Sequence, residues 1–355
     1  WFQVFPVFLL PLSVVLLALV MMMERINGAA RWMTFMGVQF QPSEVAKMAV
    51  IIVTAFILSK GQDEDGASPK AFKRIMIITG VICLLIAPEN LSTAALLFGV
   101  VYLMMFIGRV AMKKLLILAG GLAGVAIIGV TFLVLTKNSD LPFLHRFDTW
   151  RARIEKFTND NEVPAAKFDI DKDAQIAHAR IAVATSHVVG KGPGNSVQRD
   201  FLSQAFSDFI FAIIIEELGL IGGAFVVFLY VCLLIRVGRI AKKCERTFPA
   251  FLIIGIALLL VSQAIFNMMV AVGLAPVTGQ PLPLISKGGT STLINCAYIG
   301  MILSVSRYTA RLEEQKEHDA LIPMQVEVPA EETNSDAQTA AEPTAKVLNS
   351  DAEFE

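Results

Sequence analysis

Apolar runs of bilayer length alternate along this chain with short polar connections, and that alternation predicts the fold. Runs near residues 2–23, 43–59, 75–88, 91–108, 115–136, 209–235, 249–272 and 289–306 each approach the ~20 apolar residues that cross a hydrocarbon core. Backbone groups in lipid must be satisfied within the segment, so each run is expected to be a helix. The expected fold is all-α, a polytopic membrane helix bundle with one large extramembrane loop at 136–208. Pro88, Glu89 and Asn90 break the third run from the fourth.

Loop charge orients the bundle. Lys60, Lys70, Lys73 and Arg74 fill one connection. Arg109, Lys113 and Lys114 fill the next on that side, and Arg236, Arg239, Lys242, Lys243 and Arg246 the third. The opposite short connections hold only Arg25, Arg31 and Lys287. By the positive-inside rule the first set is cytoplasmic, and residues 136–208 lie outside. Residues 1–311 read as the membrane domain, and 312–355 as a disordered acidic cytoplasmic tail without an apolar face.

Composition sharpens this picture only a little. With 55% hydrophobic and 17% charged residues and a mean hydropathy of +0.63, neither a disordered chain nor an ordinary soluble domain is expected. A net charge of −1 gives no support to nucleic-acid binding. Cys83, Cys232, Cys244 and Cys296 form no CxxC pair and read as packing residues.

Candidate chemistry collects on the outer side. Pro42 opens a helix whose first turn holds Glu44 and, three residues on, Lys47. A local ion pair and an anion-facing lysine both fit that spacing. Residues 174–189 make a partly apolar stretch that suits a short interfacial or re-entrant helix. Gly190, Gly192 and Gly194, ahead of Asn195 and Ser196, mark a turn, or free N–H groups for an anion. No Walker spacing, HExxH or GxSxG is present.

Three acids then meet an apolar run: Asp208 at its start, Glu216 and Glu217 within it. A charge at a helix centre costs ~2.5–3.5 kcal/mol on insertion scales. At 100° per residue, Asp208, Ile215, Gly219 and Gly222 share a stripe, and its glycines would admit a neighbouring helix. At least one glutamate needs a cavity, a cation or a partner helix. The last outer loop, GLAPVTGQPLPLISKGGTSTL, is irregular and apolar, which membrane depth tolerates only where protein or a cavity surrounds it.

Three stretches together resemble the SEDS family (shape, elongation, division and sporulation proteins), nearer its cell-division branch than its rod-shape branch. They are RWMTFMGVQFQPSEVAK, GKGPGNSVQRDFLSQAFSDFIFAIIIEELGLIGG and the last outer loop. The resemblance covers residues 1–311 and implies a ten-helix fold of which this chain, opening at Trp1, carries eight and lacks the first two. It implies a peptidoglycan glycosyltransferase that polymerises lipid II into glycan strands at the septum. The enzyme would sit in the bacterial cytoplasmic (inner) membrane with its site facing the periplasm or cell exterior. Expected partners are a class B penicillin-binding protein transpeptidase and other divisome membrane proteins. A lipid II flippase and a transpeptidase scaffold are the alternatives.

Carried over by residue, Asp208 matches the family's essential aspartate and Asp200 an acidic position in the same loop. Arg31, Glu44 and Lys47 match the Arg-Trp and QPSE motifs, Gln175 a glutamine before the amphipathic stretch, and Glu217 the EELG signature. Three departures stand out. Ser203, Gln204, Ala205, Phe206 and Ser207 replace the usual Pro-Glu-x-His-Thr. Lys287 replaces the tyrosine of ISYGG, and Pro88–Thr93 reads PENLST where the family has a QPDLGT-like motif.

The chemistry implied is attack by a sugar 4-hydroxyl on the anomeric carbon of a lipid-pyrophosphate-linked sugar. A carboxylate in contact could accept the hydroxyl proton, worth typically ~10²–10⁴-fold. Asp208, at the lipid–water boundary, is the expected base. Arg31, Lys47, Arg153, Lys191, Arg199 and Lys287 are the candidate cations for the leaving pyrophosphate. Asn195, Ser196, Ser286, Gly288 and Gly289 complete the candidate substrate contacts. Asp208 and Asp200 are candidate ligands for a divalent cation, Mg or Mn, and no organic cofactor is expected.

Overall fold

All eight expected spans are helices in the computed structural model, which describes residues 5–22, 33–35, 38–63, 66–135, 170–202 and 205–321. They are α1 (Phe5–Met21), α2 (Pro42–Lys60), α3 (Pro69–Ile86), α4 (Leu91–Ile107) and α5 (Met112–Leu135). Within the large loop lies α6 (Ile170–Ala184), and after it come α7 (Ile210–Lys243), α8 (Thr247–Ala271) and α9 (Gly289–Leu321). Two small antiparallel hairpins, unforeseen from the sequence, pair Met33–Phe35 with Val38–Phe40 and Gln62–Asp63 with Gly66–Ala67. Among the described residues α2, α5, α7, α8 and α9 contain stretches long and apolar enough to cross a membrane, and α1 and α4 are apolar but shorter. Arg31, Arg153 and about half of the large loop, residues 136–169 and 203–204, lie outside the described residues.

Local chemistry explains the helix ends. Pro42 occupies the first turn of α2, with Glu44 at its N-terminal end and Lys60 in its last turn, a charge order that suits the helix dipole. Ser68 caps α3 by accepting from the Ala71 N–H at 3.3 Å. Asn90 caps α4 by accepting from the Thr93 N–H at 3.2 Å. The Pro88 break thus becomes a tight reversal into α4.

Burial sorts the helices. α2 is the central one, with 78% of its spanning window enclosed, whereas only 6% of the α5 window is. Ile51, Ile52 and Leu58 of α2 join Leu97, Met104, Leu252 and Ile256 in the main apolar core. A second core joins α6, α7, α8 and the last loop through Ala182, Phe209, Ala264 and Leu282.

The basic connections gather at one end. Ala67 N–H donates to the Arg109 carbonyl at 3.1 Å, and Gln62 Nε2 to the Gly108 carbonyl at 2.9 Å. Thr247 Oγ1 reaches the Ser59 carbonyl at 3.5 Å. That grouping is what the charge argument requires. The chain divides into two units, residues 1–310 and 311–355. In the second, residues 311–321 are helical, and residues 322–355, the rest of the expected tail, lie outside the described set.

Candidate active site at the end opposite the basic connections

The end opposite the basic connections is stitched together by polar side chains. Asp208 sits in the turn before α7, half-buried, two residues ahead of Ile210. Ser207 Oγ donates to Asp208 Oδ1 at 3.0 Å, so a hydroxyl survives where the resemblance expects threonine. Three consecutive carbonyls of this turn are each held from elsewhere. Phe206 O accepts from the Lys287 N–H at 2.8 Å, Ser207 O from Ser286 Oγ at 2.6 Å, and Asp208 O from Asn267 Nδ2 at 2.8 Å. Lys287 contributes its backbone here and its side chain is exposed, which explains how a lysine can stand in the tyrosine position.

The last outer loop is pinned in turn. Asn267 Nδ2 also donates to the Gln280 carbonyl at 2.8 Å, and Gln263 Nε2 to the Pro281 carbonyl at 3.1 Å. Ser286 Oγ accepts from the Leu282 N–H at 2.7 Å. Tyr230 Oη donates to the Pro283 carbonyl. Gln280 Nε2 reaches Thr93 Oγ1 at the start of α4. The loop is therefore irregular backbone buried in protein, as its composition predicts.

Gln263 carries the connection to α2. Its Oε1 accepts from Lys47 Nζ at 3.1 Å, and Lys47 pairs with Glu44 at 2.6 Å. Lys47 is fully buried and Glu44 nearly so. Of the two readings of this spacing, the ion pair is the one present. At the start of α2, a small cleft of about 20 Å³ is lined by Ser43 of the QPSE stretch and by Glu89 and Asn90 of the PENLST stretch.

A second assembly surrounds Glu216. Its carboxylate is wholly enclosed and accepts from four donors: Lys191 Nζ at 2.5 Å, Ser196 Oγ at 2.5 Å, and the Val197 and Gln198 N–H groups at 3.3 Å each. Those donors fill the roughly four lone-pair positions of a carboxylate. The acid that needed an enclosed partner is thus Glu216, whereas the position chosen from the resemblance was Glu217, which is only half-buried.

The helix itself is broken next to this carboxylate. Gly219 has φ 72° and ψ −172°. In an unbroken helix Leu220 and Ile221 would donate to the carbonyls of Glu216 and Glu217. Here they donate to His187 O at 3.3 Å and Val188 O at 3.4 Å, while Glu216 O and Glu217 O accept from the Lys191 and Gly192 N–H groups at 3.0 and 2.8 Å. The loop after α6 has exchanged hydrogen bonds with the break, so these four backbone groups of α7 are all paired.

Of the two readings of the glycine cluster, the turn is the one present: the Lys191 and Gly192 N–H groups are committed to α7. One sequence expectation is corrected. The stripe from Asp208 to Gly222 assumed one continuous helix. Asp208 precedes the helix, and Gly219 admits the Val188 backbone, whose carbonyl oxygen lies 2.2 Å from where a Cβ would stand.

The remaining described candidates have their own local contacts. Asn195 Nδ2 donates to the Lys191 carbonyl at 3.1 Å. Arg199 Nε meets Asp200 Oδ1 at 3.3 Å, with the Asp200 side chain 75% exposed. Gln175 is half-buried on α6, and Gly288 and Gly289 open α9, where Thr292 N–H donates to Gly288 O at 3.2 Å. Among the described residues no group of three or more His, Cys, Asp or Glu side chains could hold a metal. Asp200, one of the two candidate ligands, is turned to Arg199.

A bundle of apolar helices with a polar, loop-built outer end defines a multi-pass membrane protein. The family model for cell cycle proteins of the FtsW, RodA and SpoVE type matches residues 1–311, and the chain belongs to that family. It is 34% identical over 282 residues to the "probable peptidoglycan glycosyltransferase FtsW" of Geobacter sp. (strain M18), covering 79% of this chain and 72% of that one. It is 32% identical over 325 residues to the protein of the same name from Halomonas elongata, covering 89% and 77%. Among solved structures, a chain from a peptidoglycan synthase complex that coordinates polymerization and crosslinking is similar, with TM-score 0.67 and 26% identity over 87% of this chain and 82% of that one. The Thermus thermophilus rod-shape-determining protein RodA shares the fold, with TM-score 0.58 and 24% identity over 86% and 78%.

Proposed function

We propose that this protein is a peptidoglycan glycosyltransferase that polymerises lipid II during septal wall synthesis, with Asp208 as general base. The acceptor 4-hydroxyl would attack the anomeric carbon as Asp208 takes its proton. The bond from that carbon to the pyrophosphate oxygen breaks, and the lipid pyrophosphate leaves with the electron pair. Attack from the opposite face inverts the centre and gives a β-linked strand.

The observation that carries this reading is the turn at Asp208: a half-buried carboxylate whose backbone is fixed at three successive carbonyls. Preorganisation of that kind is what a base needs, because reach and orientation decide proton transfer before basicity does. The names of the relatives support the same chemistry. Of the described candidate cations, Lys47 and Lys191 are committed to the enclosed carboxylates of Glu44 and Glu216, whereas Arg199 meets the exposed Asp200 and Lys287 is exposed. These last two are the proposed partners of the pyrophosphate. The outer end would face the periplasm or cell exterior, where lipid II presents its headgroup, and a class B transpeptidase would crosslink the product.

Reconstitution of the full-length protein with that transpeptidase in vesicles carrying labelled lipid II tests the proposal. Glycan strands are expected on a gel. Transfer of lipid between leaflets without any strand would overturn it in favour of a flippase.

A further inference from the structure

Two amides in the apolar helix α8, Gln263 and Asn267, stand one turn apart and are almost completely buried. Both hold the same stretch of the last outer loop, Gln263 through Pro281 O and Asn267 through Gln280 O. Only Asn267 spends its second N–H on the other outer connection, at the carbonyl of Asp208 itself. One amide nitrogen therefore bridges the turn that carries the carboxylate and the loop that closes the outer end.

We infer that Asn267 is a positioning residue for Asp208, setting where the carboxylate stands relative to the last outer loop; this rests on the reading of Asp208 as base. The reasoning is geometric. Ser286 Oγ and the Lys287 N–H tie the same turn at Ser207 and Phe206, but both belong to the loop and move with it. Asn267 is anchored in a helix, so it is the tie that refers the turn to the rigid bundle. The amide that serves both carbonyls is itself 1% exposed. Side chains held on regular elements position reacting groups more tightly than loop contacts do. A shift of about 1 Å at a reacting group can cost about 10²-fold in rate.

The test compares the parent with Asn267→Leu and Asn267→Asp, each with its transpeptidase partner, in lipid II polymerisation. Asn267→Asp keeps the shape and replaces the donating amino group by an oxygen. Both variants are expected to lose about 10-fold or more in kcat with KM within about twofold, because the tie acts on the base and not on the substrate. Amide hydrogen exchange should rise at 205–209 and 280–286 in both. Thermal melting and the folded fraction are measured alongside, and rates are expressed per folded molecule. If the variants melt earlier yet keep the parent kcat per folded molecule, Asn267 is a packing residue and the inference is overturned. A rise in KM at unchanged kcat overturns it too. If the parent itself makes no strand, it is the glycosyltransferase reading that fails, and the exchange data still report whether the tie exists.

Discussion

Replacing Gly219 by alanine tests the exchanged hydrogen bonds at the break in α7. Its φ of 72° with ψ −172° falls in a region essentially reserved for glycine, and a side chain there costs about 1–3 kcal/mol. The new Cβ would stand 2.2 Å from Val188 O and 2.6 Å from Gly190 N, both backbone atoms. Backbone cannot rotate away as a side chain does, so the loop must lift from the helix. Lifting it forfeits some of the four exchanged hydrogen bonds, each worth a net ~1 kcal/mol. The total is about 3–6 kcal/mol, large against the marginal stability of folded proteins. Gly238→Ala, in the same helix but with nothing within 4 Å of the added atom, is the control. It should be neutral, or stabilising by up to ~1 kcal/mol through helix propensity. Thermal melting in detergent, with amide exchange at Lys191, Gly192, Leu220 and Ile221, reads both effects. If Gly219→Ala melts with the parent and those four amides stay protected, the described exchange is wrong.

Other substitutions probe the buried carboxylates and the loop. Glu216→Ala removes the acceptor of four donors and should cost about 3–5 kcal/mol in thermal or chemical unfolding. Lys191→Ala should cost less, because Ser196 and two N–H groups still hold the carboxylate. Lys47→Met strands Glu44 in the bundle and should destabilise by about 3–5 kcal/mol, whereas adding Glu44→Gln should restore much of that loss in a double-mutant cycle. Ser286→Ala removes two bonds at once and should cost about 1–3 kcal/mol, with loosened exchange at Leu282.

How much of this was legible in the sequence follows from which forces act locally. The spans were readable because hydrocarbon enforces an apolar run of fixed length, and Pro88 to Asn90 punctuate it visibly. Lys47 beside Glu44 was readable because i,i+3 neighbours share a helix face. The break at Gly219 was not, since LGLIGG reads as helix and the deciding contacts come from residues 187–192, far upstream. Choosing Glu216 over Glu217 depended on the same loop. Gln263 and Asn267 did leave a signal, two amides at i,i+4 in an apolar span, each needing a partner there. Nothing local said that those partners were the backbone carbonyls of Asp208 and the last loop.

The most direct measurement is the polymerisation rate of Asp208→Asn with full-length protein, its transpeptidase partner and lipid II. The variant keeps size and shape and loses only the capacity to take a proton. A fall of about 10²-fold or more in kcat, with lipid II still bound, is expected of a general base. Strand synthesis at the parent rate would contradict it.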